Sequence, residues 1–300
     1  METINQTFKD YKDRFKQVFE AMLPMFLLQI IPLAIIFAAL FAVDSLDLPQ
    51  QTWLIIEIVG AAVILVSVLL MLLVYSPASF RVFQQREEGT ILTLNQAAGI
   101  QRKTVWPWVK FCLSFLVFAL MYWVIIFGPM VVIISALIFF HTAINVVIGI
   151  IGGLVALALT VYLALIHAPK LIYACNIFLS SKNMGPWDSM KESIRLVKAH
   201  RAEAWGTFGG LFIISLIGMF AQLLISFVSG PKEFLASMQN SITYEPALYY
   251  TIISGTTGAI INIFFSCALM YIYLAKKYQE IRVLDEHAAI QSVAPIDPIQ

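Results

Sequence analysis

Six apolar runs, each of about 20 residues or more, dominate this 300-residue chain and leave it few ways to fold. They cover Leu23–Val43, Trp53–Phe83, Trp108–Phe127, Ala143–Phe178, Thr207–Val228 and Leu248–Lys276. At about 1.5 Å per residue, a helix of this length matches the roughly 30 Å hydrocarbon layer of a bilayer. Backbone groups in lipid must be satisfied within the segment, so the runs are expected as helices and not as strands. The composition agrees: 60% hydrophobic and 12% charged residues, with a mean hydropathy of +0.84, make lipid the solvent for much of the chain. The expected fold class is therefore all-α, a polytopic membrane bundle of six transmembrane helices. The second and fourth runs exceed what a bilayer needs and should project beyond it. Gly128-Pro129 is expected to end the third, leaving Met130–Phe140 as a continuation or an interfacial segment on the outer side.

Charge sets the orientation. Of 19 Lys and Arg residues, 18 lie in the N-terminal helix, in two connections with their flanks, and in the C-terminal tail, with Lys232 the exception. A six-span alternating path puts those 18 on one side, which the positive-inside rule makes cytoplasmic, together with both termini. Asp44, Asp47, Glu233 and Glu245 fall on the other side.

A repeat organises the basic stretches. In Leu73–Trp108 and again in Leu165–Trp205, an apolar helix exits through a proline, turns polar, reaches a glycine turn, and leads through a basic amphipathic segment to a tryptophan. Pro77 aligns with Pro169, Gly89 with Gly185 and Trp108 with Trp205. Residues 4–22 supply a related opening, with Phe8, Tyr11, Phe15, Val18, Phe19 and Met22 at helical spacing and Lys9, Lys12, Arg14 and Lys16 on the other faces. Asp10, Asp13 and Glu20, and the length of the run that follows, argue for an uncleaved interfacial helix over a signal peptide. Three pseudo-repeats are expected, each an amphipathic cytoplasmic helix, an outward span and a returning span. The second opens at 90–103, with Ile91, Leu94, Ala98 and Gln101 on one side; the third opens at 186–201, with Trp187, Met190, Ile194 and Val197. Pro107 and Pro186 suit a first helical turn. Stacked pairs bury more than isolated ones, so residues 1–300 read as one domain, with 287–300 as a disordered tail.

Little in the sequence points to catalysis. Glu57, one turn into the second span, is the ionisable residue nearest to membrane depth, and Gln222 and Asn262 are candidate polar contacts inside spans. His141, His167 and His200 are scattered and fit capping or hydrogen bonding. Gly149/Gly153, Gly206/Gly210 and Ser254/Gly258 are small-residue pairs suited to close helix packing. Cys112, Cys175 and Cys267 show no paired spacing. No zinc-protease motif, nucleophile triad order or phosphate-cradling loop is present, and nucleic acid would need an exposed basic domain that the chain lacks. No catalytic, cofactor-binding or metal-binding residue is assigned. The basic belt is the candidate site: Arg86, Arg102, Lys103, Lys191, Arg195, Lys198 and Arg201 should sit at headgroup level, where each attracts anionic phospholipid of the cytoplasmic leaflet by about 1 kcal/mol. Plain topology signalling is the alternative role for the same charges.

The proline-bearing exits Ser76-Pro77 and Ala168-Pro169, with the stretch Gly185-Pro186-Trp187-Asp188-Ser189-Met190-Lys191-Glu192-Ser193, resemble a broad group of six-span bacterial membrane proteins. That group includes the YciC-like family and the membrane domain attached to some glycerophosphodiester phosphodiesterases. The resemblance covers about residues 10–280 and implies a helical bundle of the bacterial inner membrane. It brings no phosphodiesterase activity, because the spans use the whole chain. The reading is a non-enzymatic membrane protein acting in membrane organisation, lipid handling or support of a partner protein. The alternative is a transporter or channel for a neutral or lipid substrate.

Overall fold

A computed structural model describes residues 2–45, 50–139, 154–155, 157–163, 166–181, 184–231 and 248–293, and every regular element among them is helical. Five stretches among these residues are long and apolar enough to cross a membrane: Phe15–Ile36, Leu54–Glu87, Val105–Ile125, Arg201–Ser229 and Ser254–Ala288. Residues 143–153 of the fourth apolar run, 232–247 of the connection that follows the fifth, His141 and the Gly149/Gly153 pair lie outside the described residues. The chain divides into two compact units: Met1–Val105 with Gly209–Gln279, and Trp106–Phe208 with Glu280–Gln300.

In the first unit, α1 (Glu2–Asp13) leads into α2 (Phe15–Ser45) with only Arg14 between them. The Arg14 N–H donates to the Asp10 carbonyl and Val18 N–H to the Arg14 carbonyl, each at 3.0 Å, so the helical ladder barely breaks. The interfacial helix expected over 4–22 therefore ends near Asp13, and residues 15–22 already belong to the first long helix. Val18 and Met22 are fully buried there, while Phe15 and Phe19 stay exposed. α3 (Gln50–Leu70) returns, passes through a π-helical turn at Met71–Tyr75, and continues as α4 (Ser76–Glu87) with Pro77 in its first turn.

Gly89 closes α4. Its φ of 82° is left-handed, and the Gly89 and Thr90 N–H groups reach back to the Arg86 and Gln85 carbonyls. Gly185, its sequence counterpart, instead caps a helix start in extended conformation. Thr93 and Gln96 form a capping box, which delays α5 to Leu94–Lys103, later than the 90–103 expected. Ala97, Ala98 and Gln101 form its buried side, whereas Ile91 is exposed.

The same unit takes in the later part of α9 (Arg201–Ser229), α10 (Leu248–Ile260), a second π-helical turn at Ile261–Cys267, and the first part of α11 (Ala268–Val293). Helix α11 remains helical through 287–293, where the sequence suggested disorder. The ion pair from Arg282 Nε to Glu286 Oε1, 3.0 Å apart at i,i+4 spacing, supports this end.

In the second unit, α6 runs unbroken from Val105 to Phe139. Gly128-Pro129 does not end it, and Met130–Phe139 is a continuation of the helix. A 3₁₀ turn at Ala168–Leu171 carries Pro169, followed by α7 (Ala174–Ser180) and α8 (Pro186–Ala199). The buried side of α8 is Ser189, Met190, Ser193, Leu196 and Val197. It is rotated from the expected stripe because Ser193 is drawn inward. The Ser193 Oγ donates to the Lys170 carbonyl at 2.9 Å and accepts the Tyr173 N–H at 3.3 Å. The Lys170 carbonyl lies within the 3₁₀ turn and the Tyr173 N–H just beyond it, where the α-helical ladder is interrupted. Ser193→Ala removes both hydrogen bonds of a fully buried side chain and should cost about 2 kcal/mol, read as a lowered Tm in detergent.

Candidate functional site

Two other irregular turns are met in the same way. Gln101, fully buried on α5, donates its Nε2 to the Leu73 carbonyl at 3.1 Å, inside the first π turn. Tyr11 on α1 donates its Oη to the Phe264 carbonyl at 2.7 Å, inside the second. Burial pushes the Tyr11 phenol above its ordinary pKa, which keeps it a proton donor. A π turn displaces the regular ladder, and in each case a side chain from a short amphipathic helix supplies the donor. Aromatic rings back the second contact: Phe265 lies 6.0 Å from Phe8 and 6.1 Å from Tyr11, and Phe264 stacks on Phe19 at 5.3 Å.

These docked helices bring basic residues to the ends of long apolar helices. In the first unit, Arg14 Nη1 reaches Glu87 Oε1 at 3.0 Å, and Arg86 donates to Gln17 Oε1. Lys276, only 9% exposed, pairs with Asp10. Arg102 has no ion-pair or hydrogen-bond partner among the described residues, and Lys103 beside it is exposed. Two cavities open at this end. A crevice of about 520 Å³ has Gln17, Glu20, Arg86, Thr93 and Asn95 on its polar side. A groove of about 500 Å³ lies between α2 and the α3–π turn, with Arg102 on its wall. Pro24 belongs to both.

The second unit treats its basic residues differently. Lys191, Lys198 and Arg201 are exposed. Arg195 is held by two carboxylates: its Nε and Nη2 reach Glu192 at 2.8 and 2.7 Å, and its Nη1 and Nη2 reach Asp285 at 3.3 and 2.7 Å. The Glu192 and Asp285 hydrogen bonds hold the guanidinium charged at any accessible pH. His200 Nε2 lies 3.4 Å from the same Asp285. With two carboxylates against one guanidinium, Arg195 offers an anion little, and Lys191, Lys198 and Arg201 remain the open cations of this belt. Its partner Asp285, on α11, stands 90 residues away in sequence, so nothing local announced the fork.

Among the polar candidates, Gln222 lies where α9 meets Gly258, its Nε2 2.8 Å from where a Cβ on that glycine would stand. Asn262, exposed within the second π turn, accepts from the Cys267 thiol at 3.9 Å. Glu57 lies on α3, and its side chain is outside the described part of the structure. His167 contacts Lys170 at 3.0 Å through Nδ1 and packs 5.0 Å from the Tyr122 ring. Among the described residues, no three His, Cys, Asp or Glu side chains gather within reach of one metal ion.

The arrangement defines a class, an all-helical protein with several membrane-length helices. Comparison with protein-family models, curated proteins and solved structures returns no match.

Proposed function

We propose that this chain is a six-span protein of the bacterial inner membrane, with both termini cytoplasmic, that handles anionic phospholipid at the cytoplasmic surface without catalysing a reaction. The observation that carries the reading is the pair of adjoining cavities at the basic end of the first unit, with Arg86 on one and Arg102 on the other. Apolar walls with a cation at one end suit an amphiphile with a negatively charged head. Lys103 stands beside Arg102, and Lys191, Lys198 and Arg201 give the second unit its own exposed positive charge.

The threefold repeat is part of the proposal. Tyr11, Gln101 and Ser193, one from each amphipathic helix, all donate to a carbonyl at an irregular helical turn: Phe264, Leu73 and Lys170. Gln101 and Ser193 reach the apolar helix that precedes their own, and Tyr11 reaches the last one, a cyclic order that supports three related units. The resemblance to the YciC-like group belongs to the same reading.

Native mass spectrometry of gently extracted protein tests it. Retained anionic phospholipid, in excess over the zwitterionic lipid of the same membrane, is the expected result. Retention in the membrane's own ratio counts against lipid handling, and a co-purifying protein would favour the accessory role instead. A transporter for a neutral or lipid substrate is the second reading, favoured by the π turn that carries Asn262 inside a span. Uptake into proteoliposomes lost on Asn262→Ala would bring it forward.

A further inference from the structure

We infer that the groove between α2 and the α3–π turn is a seat for one acyl chain of an anionic glycerophospholipid from the leaflet nearest Arg102, with the headgroup phosphate at Arg102. This rests on the lipid-handling reading above and names the occupant and the place.

Three observations carry it. The first is length. On α2 the groove wall runs from Pro24 through Leu27, Leu28, Ile31 and Pro32 to Ile35, a single stripe spaced by three and four residues. Eleven residues at about 1.5 Å each give about 16 Å, half of a hydrocarbon layer of roughly 30 Å. The opposite wall, from Val63 to Tyr75, has twelve such steps and the same reach. The groove is therefore one leaflet deep.

The second is polarity. Arg102 and Tyr75 lie at the end that Pro24 marks, and Arg102 carries its charge without a partner among the described residues. At the far end a smaller cavity of about 200 Å³ shares Ile35 and Val63 with the groove and is lined by apolar residues and Gly60. An amphiphile fits in one direction only, with its charge at Arg102 and its tail toward Ile35. The adjoining crevice, with Thr93 and Asn95 beside Arg86, leaves room for the rest of a headgroup at the same level.

The third is access. Leu27, Ile31 and Ile35 are 40, 49 and 57% exposed, so the groove opens sideways along α2 and a lipid can enter without leaving its leaflet. At about 500 Å³ it falls within the range of small-ligand sites.

The full-length protein, reconstituted in nanodiscs of phosphatidylglycerol and phosphatidylethanolamine in equal parts and released for native mass spectrometry, tests the inference. Wild type should retain one phosphatidylglycerol in preference to phosphatidylethanolamine. Ile31→Trp, at a half-exposed position that can take the larger side chain, should fill the groove and abolish the retained lipid. Arg102→Gln should lower the preference about fivefold, the worth of one interfacial cation. Lys9→Gln removes an equal charge from exposed α1 and should leave the ratio unchanged. If wild type keeps phosphatidylglycerol and both groove variants keep it equally, the lipid sits elsewhere on the belt and this inference fails while the broader reading survives. If wild type shows no preference, both fail. An effect of Lys9→Gln as large as that of Arg102→Gln would reduce the groove to overall charge and overturn it.

Discussion

Asp10→Ala should destabilise the protein by about 3 kcal/mol, whereas Lys276→Met, which breaks the same ion pair, should cost far less. The asymmetry follows from burial and from second partners. Lys276 is 9% exposed, and Asp10 is its ion-pair partner on α1. Removing the carboxylate leaves an ammonium in a buried site, the costly way to break such a pair. Asp10 is less buried and has Arg14 Nη2 3.8 Å away, so losing Lys276 does not strand it. The double variant Asp10→Ala/Lys276→Met should recover most of the loss, because neither charge is then left alone. Thermal unfolding in detergent, followed by far-UV circular dichroism, reads all three. Equal losses for the two single variants would mean that the pair contributes only as a surface contact. The effect should extend to the docking of α1, since Tyr11 lies one residue on from Asp10 and its hydrogen bond to the Phe264 carbonyl shares that geometry.

The helical fold was legible because apolar runs of membrane length leave so few options, and Pro77, Pro169 and Pro186 correctly marked the places where geometry changes. The two π turns were not. MLLVY at 71–75 and INIFFSC at 261–267 read as ordinary apolar helix, since a π turn has no composition of its own. Each is met by a donor distant in sequence, Gln101 for the first and Tyr11 for the second. Gln101 did leave a trace: a glutamine on an otherwise apolar stripe is out of place unless it has something to bond. Gly128-Pro129 misled in the other direction. Inside the long apolar segment of α6 the helix passes through, as proline is tolerated where the surrounding segment cannot leave the helical state.

The site was half legible. Positive charge at the ends of spans picks out Arg86, Arg102, Lys103, Lys191, Arg195, Lys198 and Arg201 as a set, but it does not separate them. Separation comes from long-range contacts. Asp285 takes Arg195 out of the free charge, Gln17 engages Arg86, and Arg102 is left at the mouth of a groove whose walls are 27 to 78 residues earlier in the chain. No periodicity within a single helix encodes that arrangement, because the groove exists only once α2 and α3 have packed.

The small-residue pair Gly206/Gly210 makes the sharpest case for reading packing from contacts and not from spacing. A Cβ at Gly210 would overlap the Tyr273 ring, coming within 2.8 Å of its Cε1 and closer still to Cζ and Oη. Tyr273 is 2% exposed and packed in a core with Ile214 and Leu269, so the ring has nowhere to move. Gly210→Ala should therefore cost about 2 kcal/mol in overpacking, in spite of the roughly 1 kcal/mol that alanine adds to helix propensity. Gly209, the preceding residue, has nothing within 4 Å of the same hypothetical Cβ. There the propensity term acts alone, and Gly209→Ala should raise stability by up to about 1 kcal/mol. Two identical substitutions at adjacent positions of one helix are thus expected to move the Tm in opposite directions. Tyr273→Leu, which removes the clashing ring, should make Gly210→Ala close to neutral in its own background. If Gly210→Ala stays costly with Tyr273 gone, the two helices do not meet through this pair. The approach of α9 to this last helical stretch would then have to be carried by Ser266 of the second π turn, which meets Gly218 further along α9.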